Sequence, residues 1–277
     1  MPVSKKESIV CSHNTSDKNI KGLVNVQNHK FQRVPEGELI DAIYPENADF
    51  GTTKGLAFSL DITRLSYFSI SAQYTFSIAE GTGSSTSSSA TAVFRNTDNA
   101  APKVIAPLSF DQRHTGIINV DFYVPKGELG WLEMVNANLL VSFSSGRPYT
   151  PMDQWNLLGD NGILSKTTGY INSAFGPSSV RLDLKLEKSF AIGDLYLSPY
   201  LWIENLLDAD NVTAVYRSTG SPYTTEYLTT PNGIATAELN GEGYVQDYQS
   251  LERNPANFGI PRLIKLGLKI NFSNISF

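Results

Sequence analysis

Long runs of strictly alternating apolar and polar residues constrain this chain more than any other feature. In SSVRLDLKLEKSF, Val180, Leu182, Leu184 and Leu186 alternate with Arg181, Asp183, Lys185 and Glu187. Side chains of a β-strand leave on opposite faces with period two, so such a segment has one greasy and one wet face. The pattern recurs from residue 51 onward. Leu56, Phe58, Leu60 and Ile62 oppose Ala57, Ser59, Asp61 and Thr63. Phe68, Ile70, Ala72, Tyr74, Phe76 and Ile78 oppose Ser69, Ser71, Gln73, Thr75 and Ser77. In SFDQRHTGIINVDFYV, Ile118, Val120, Phe122 and Val124 oppose Asn119, Asp121 and Tyr123. WLEMVNANLLVSFSSG, LYLSPYLWIEN and a last strand from near Ile260 complete about seven strands.

The connections sort themselves. Short turns fall at 64–66, 125–129 and 191–194, and long polar loops at about 80–108, 146–177 and 207–258. A half-buried sheet of a soluble sandwich also alternates, but nothing there sorts its loops by length. Outer-membrane barrels do so, with short periplasmic turns and long extracellular loops. The strands run about 11–16 residues against a usual 5–6, and a tilted strand needs about 9–11 to cross a bilayer. The expected fold is therefore all-β, an antiparallel transmembrane β-barrel segment of seven or eight long meander strands. Residues 51–277 carry it, and residues 1–50 read as a poorly defined segment holding the end of a preceding strand and a loop. Aromatics support two interfacial girdles: Tyr67, Phe68, Tyr123, Trp131 and Phe190 beside the short turns, and Tyr74, Phe76, Phe143, Tyr149 and Trp202 toward the long loops.

Composition excludes other classes. No run approaches the roughly 20 apolar residues of a membrane helix. A net charge of -5 with no Lys/Arg cluster argues against nucleic acid. One cysteine, Cys11, leaves no internal disulfide framework and no cysteine zinc site, and His13, His29 and His114 are scattered. No cofactor and no metal is expected. MPVSKKESIVCSHN has no apolar core after its lysines, so it is not a secretory signal. The expectation is a tail of a longer protein or a truncated reading frame.

Several segments resemble the C-terminal barrel of TonB-dependent receptors, in their large outer-membrane form. They are ADFGTTKGLAFSL at 48–60, YTFSIAEGTGS at 74–84, PLSFDQRHT at 107–115, SSGRPYTP at 144–151, SVRLDLKLEKSF at 179–190, IENLLDADNVTAVYRSTGSP at 203–222 and PRLIKLGLKINF at 261–272. NIKGLVNVQ at 19–27 looks like the outer end of an earlier strand, whereas residues 1–18 match nothing in the pattern. The resemblance implies a bacterial outer-membrane barrel of 22 strands plugged by an N-terminal domain. Such a barrel imports a scarce ligand, a siderophore, a glycan or similar, with energy delivered by TonB through the plug. Plug and TonB-contacting segment have no counterpart here, so the chain is expected to be a part of such a receptor. Expected partners are outer-membrane lipid and the barrel-assembly machinery, with TonB acting through the plug. The ending, Ile264, Leu266, Leu268, Ile270 and Phe272, resembles the terminal-strand signal which that machinery reads. Ile275 and Phe277 in the trailing SNISF are the alternative, out of phase with Phe272.

No enzymatic chemistry is expected. His114 lies near Asp111 and Ser109, but on a strand Asp111 points away from His114, and a nucleophile needs a base within reach. Asp208, Asp210 and Asn211 lack the Gly and Glu spacing of a calcium loop and read as a polar turn. Ligand contacts are expected from the long loops, with Trp155, Tyr170, Tyr216, Tyr223, Tyr227, Tyr244 and Tyr248 as candidates; packing of loop on loop is the competing role for each. The competing functions are a small structural or adhesive barrel without transport, and a non-functional remnant. The chain alone is expected to stay an open sheet. With 51–64 first and 260–272 last, both enter from the long-loop side, and pairing them would be parallel. An eighth strand from 19–45 would contain Pro35 and Pro45.

Overall fold

The computed structural model describes residues 8–32, 39–85, 104–153, 156–158 and 166–272. Its strands are β1 (Ser8–Gln32), β2 (Leu39–Leu65), β3 (Phe68–Gly81), β4 (Ala106–Pro107), β5 (His114–Tyr123), β6 (Val135–Ser144), β7 (Pro148–Tyr149), β8 (Ala174–Phe175), β9 (Ser179–Lys188), β10 (Phe190–Ile192), β11 (Leu195–Glu204) and β12 (Leu263–Phe272). Helices α1 (Pro231–Asn240) and α2 (Glu242–Glu252) lie between β11 and β12. The long strands form one antiparallel meander in the order β1-β2-β3-β5-β6-β9-β11-β12, with β10 continuing β9 beyond Ser189. The fold is all-β and open: among the described residues no ladder joins β1 to β12.

Register explains why the alternation matters. From β2 to β12 most apolar residues of one strand stand opposite apolar ones of the next, and the rows run across the sheet. One row reads Cys11, Leu60, Ala72, Ile118, Val141, Leu182. Another reads Ile9, Ile62, Ile70, Val120, Leu139, Leu184, Ile203, Ile264. On the opposite face stand Ser71, Asn119, Asp121, Asn138, Arg181, Asp183, Lys185 and Glu187. The apolar face is not a core. Leu266 is 81% exposed, and Phe58, Leu186, Ile264 and Phe272 are exposed with it. Ile264 to Phe272 covers about 27 Å of strand, about 20 Å of height at the usual barrel tilt.

The three short turns lie at one end of the sheet and the three long loops at the other. Two turns are two residues long, Ser66–Tyr67 and Gly193–Asp194, each opening on a left-handed residue (φ 57° and 61°), as tight hairpins require. The third is longer than the expected 125–129. Trp131 opens no strand; Gly130–Leu132 form a 3₁₀ turn, and β6 begins at Val135. Val124 is fully buried there, its backbone bonded to Val135 and Met134. The strands from β5 onward are also shorter than expected, ten residues each for β5, β6, β9, β11 and β12, still a bilayer-crossing length. Ser109–Arg113 lie outside β5 because Asp111 folds back, its N–H bonded to Leu108 and its carboxylate accepting from the Ala79 N–H.

The largest departure is at the start. Residues 8–32 supply a complete eighth strand, and β2 runs through residue 50 without a break. This strand starts earlier than the 19–45 weighed from sequence. Its alternation is weak: the row of Ile9 and Cys11 continues through His13, Thr15, Asp17 and Asn19. Beyond Gly51, β2 parts from β3 and continues with β1 as a two-stranded ribbon, about 40 Å of strand from Ile20 to Gln32. Pro45 sits in this ribbon opposite Val26, where among the described residues β2 has a neighbour on one side and a missing N–H is tolerated. Pro35 lies outside the described residues.

Candidate functional site

The functional surfaces are the polar face and the loops above it. On the polar face, charges are paired across strands. Lys265 Nζ lies 2.7 Å from Glu204 Oε1, and Lys269 Nζ 2.7 Å from Glu187 Oε2, reaching over β11 from β12 to β9. Lys185 and Lys269 flank the Tyr200 ring, 5.7 and 5.6 Å from its centroid. Gly267 stands opposite that ring, where a Cβ would come within 2.3 Å of it. Asp183 is buried; it takes Arg181 in a fork (2.9–3.0 Å from Nε, 2.5 Å from Nη2) and the Asn205 N–H at 2.8 Å. Asn205, with φ 52° and no exposure, turns the chain out of β11 by binding Ala209 and Ile260. Sequence periodicity places Asp183 on this face but gives no sign of the Asn205 contact.

Loop tyrosines segregate into two kinds. Tyr227, Tyr244 and Tyr248 are brought together, ring centroids 5.4 Å apart for Tyr227–Tyr248 and 6.2 Å for Tyr244–Tyr248. Tyr248 is fully buried; its hydroxyl meets Thr225 Oγ1 at 2.7 Å and accepts the Leu157 N–H. Asn156 donates to Tyr227 and accepts from Tyr244, tying the loop after β6 to the loop after β11. Glu252 accepts from the Thr225 N–H at 2.7 Å and from its hydroxyl. Burial pushes the Tyr248 phenol up to about 12, and burial also raises Tyr244. Tyr216 donates to the Leu251 and Glu252 carbonyls. Exposed Tyr223 donates to Asp210, whose carboxylate raises its pKa. Of the described candidates the Tyr170 side chain stands farthest out in solvent, at 87% exposure, while its carbonyl accepts the Ser173 N–H. Trp155 lies outside the described residues. Thr225, Asn156 and Glu252, which hold the cluster, carry no sequence signal, because their partners lie far along the chain.

The other marked residues have structural partners. Asp111 is buried, bound to Ala79 and Arg113, while His114 Nδ1 meets the Tyr74 hydroxyl at 2.8 Å on the apolar face. Asp208 pairs with Arg262, and Asn211 accepts the Val180 N–H, which makes this a polar turn. No group of three metal-ligating side chains occurs among the described residues. Around Tyr74, the rings of Phe58, His114 and Phe143 gather on the apolar face near the long loops. Trp202 does not join them. It stands on the polar face under Lys265, 4.5 Å away, because it shares parity with Tyr200 and Glu204. The same parity puts Tyr123 with Asp121. Terminal-strand residues Ile264, Leu266, Leu268, Ile270 and Phe272 form one exposed row on β12, opposite Ile203, Leu201, Pro199, Leu197 and Leu195. Ile275 and Phe277 lie outside the described residues.

Two clefts open on the polar face at the foot of the loops, of about 380 and 410 Å³, sharing Ser144 and Ser179. SSGRPYTP supplies part of their wall.

No family model matches the chain, and no curated relative is found. Among solved structures the chain is similar to the outer membrane transporter YddB from Escherichia coli, at 12% identity and a TM-score of 0.42. The similarity covers 74% of this chain and 27% of that one, so the chain spans about a quarter of the transporter's length.

Proposed function

We propose that this chain is the C-terminal barrel part of a TonB-dependent receptor of the bacterial outer membrane, importing a siderophore, glycan or similar ligand. The observation that carries the reading is the apolar face. It is continuous across the strands, exposed, and backed by an ion-paired polar face. Exposed apolar surface of this extent marks a partner surface or a membrane, and alternation about every strand is the barrel form of it. Lipid would cover the apolar rows and the polar face would line the lumen. The β12 row from Ile264 to Phe272 would be read by the barrel-assembly machinery. Energy from the inner membrane would reach the barrel through a plug domain contacted by TonB. No catalytic residue is assigned.

One observation favours the second reading, a small structural or adhesive barrel. The eighth strand makes β1 and β12 antiparallel, so their direct pairing is allowed by direction. Against it, the β1 row ends in Thr15, Asp17 and Asn19, a poor lipid face. Labelling decides the orientation. With Cys11 replaced by Ser, a cysteine at exposed Leu239 should react with an impermeant maleimide on intact cells, and one at Gly193 should not. The reverse pattern rejects the outer-membrane topology. Uptake of a ligand by vesicles holding this chain alone would favour a self-sufficient barrel over a receptor part.

A further inference from the structure

The outer end of the polar face carries a concavity that the roles above leave unused. The two clefts meet at Ser144 and Ser179, where β6 pairs with β9, and their hydroxyls touch at 2.8 Å. Each has the volume of an ordinary small-ligand site, about 300–1,000 Å³. The walls are hydroxyl-rich: Thr115 and Ser142 line one cleft, Ser145 and Thr213 the other. Among the described residues no Asp or Glu lines either cleft, in a chain whose net charge is -5. Arg181 lines the first cleft and is matched by Asp183. Arg147 and Arg217 line the second; Arg217 reaches Met152 Sδ at 3.9 Å, whereas Arg147 is exposed and among the described residues its side chain forms no ion pair. Its backbone is fixed, since the Arg147 carbonyl accepts the Gly176 N–H at 3.0 Å beside the β7–β8 pair. Gly146 packs against Gly176 so closely that a Cβ would come within 1.7 Å of its carbonyl oxygen.

We propose that this cleft binds a carboxylated saccharide. Arg147 takes the carboxylate in a two-donor fork, and the serine and threonine hydroxyls, each donor and acceptor, exchange hydrogen bonds with the sugar hydroxyls. The inference rests on the transport reading only for the side from which the ligand arrives.

The test is calorimetric titration of the full chain in detergent micelles with trigalacturonate, neutral maltotriose and inorganic phosphate. Trigalacturonate should bind at least tenfold more tightly than maltotriose, and its affinity should fall with added salt. Arg147→Gln should weaken it about tenfold, and Arg253→Gln, at an exposed arginine beyond α2, should leave it unchanged. Both variants should keep the parent's far-UV circular dichroism. Equal affinity for the two saccharides, phosphate binding as tight as trigalacturonate, no binding at all, or an unaltered Arg147→Gln would each overturn the proposal. The maleimide pattern is independent of these titrations, so failure here leaves the membrane topology standing, and failure there leaves the cleft.

Discussion

The sheet and the loop cap above it are built on opposite rules. In the sheet, backbone groups are satisfied by the ladders, and the large apolar side chains face outward: Leu266, Leu268, Ile270 and Phe272 are all exposed. In the cap, Tyr227, Tyr248 and Met152 turn inward, while Tyr170 and Leu239 stand exposed. Tyr248, Met152, Asn205 and Asp111, four of the largest fully buried side chains, all lie in the long connections. A protein whose interior is in its loops and whose oil is on its outside has two solvents to answer to. The cap answers to water, hiding the Tyr248 ring and closing its hydroxyl on Thr225. The sheet, on the proposed reading, answers to lipid, where an exposed leucine costs nothing and an unsatisfied amide costs several kcal/mol.

If the two parts obey separate rules, each should be breakable alone. Tyr248→Ala empties the centre of the cap and should cost about 3–5 kcal/mol, felt locally. Hydrogen exchange should speed up in α1 and α2 and stay slow in β5, β6 and β9; faster exchange in both would mean that cap and sheet fold as one unit. Leu184→Arg attacks the other side. At mid-strand on the apolar face it should cost about 2–4 kcal/mol in vesicles, read from denaturant unfolding. Its effect in detergent-free aqueous solution should be far smaller, and equal effects in both would remove the membrane from the argument.

Alkali should loosen the cap before the sheet. The folded Tyr248 pKa, about 12, is above its ordinary 10, so the folded cap favours the neutral phenol. That contribution is whole below pH 10 and is lost as pH rises to 12, about 2–3 kcal/mol over the interval. Tyrosinate absorbance should show a late-titrating phenol that vanishes in Tyr248→Phe. Smallest of all should be Lys185→Leu on the polar face. Its pairing with Glu187 spans 3.8 Å at a partly exposed site, so the change should stay within about 1 kcal/mol by the same unfolding assay. A loss as large as that of Leu184→Arg would reverse the assignment of the faces.

What the sequence determined by itself was the sheet. Period-two alternation is a local property, and in β2, β3, β5, β9 and β12 it fixed which side chains share a face; Leu182, Leu184 and Leu186 share one, opposite Val141, Leu139 and Ala137. The sorting of short turns from long loops was equally local. The tertiary structure decided what local pattern cannot encode. β1 became a strand because β2 offered it an edge, although Thr15, Asp17 and Asn19 break its alternation. Trp202 went to the polar face because strand parity outranks the attraction of an aromatic for an interface. The tyrosines of the cap turned inward because Asn156 and Leu157 meet Tyr227 and Tyr248 across 71 and 91 residues of chain. Contacts of that separation exist only after the sheet has brought the two loops side by side, and no reading of neighbours along the sequence contains them.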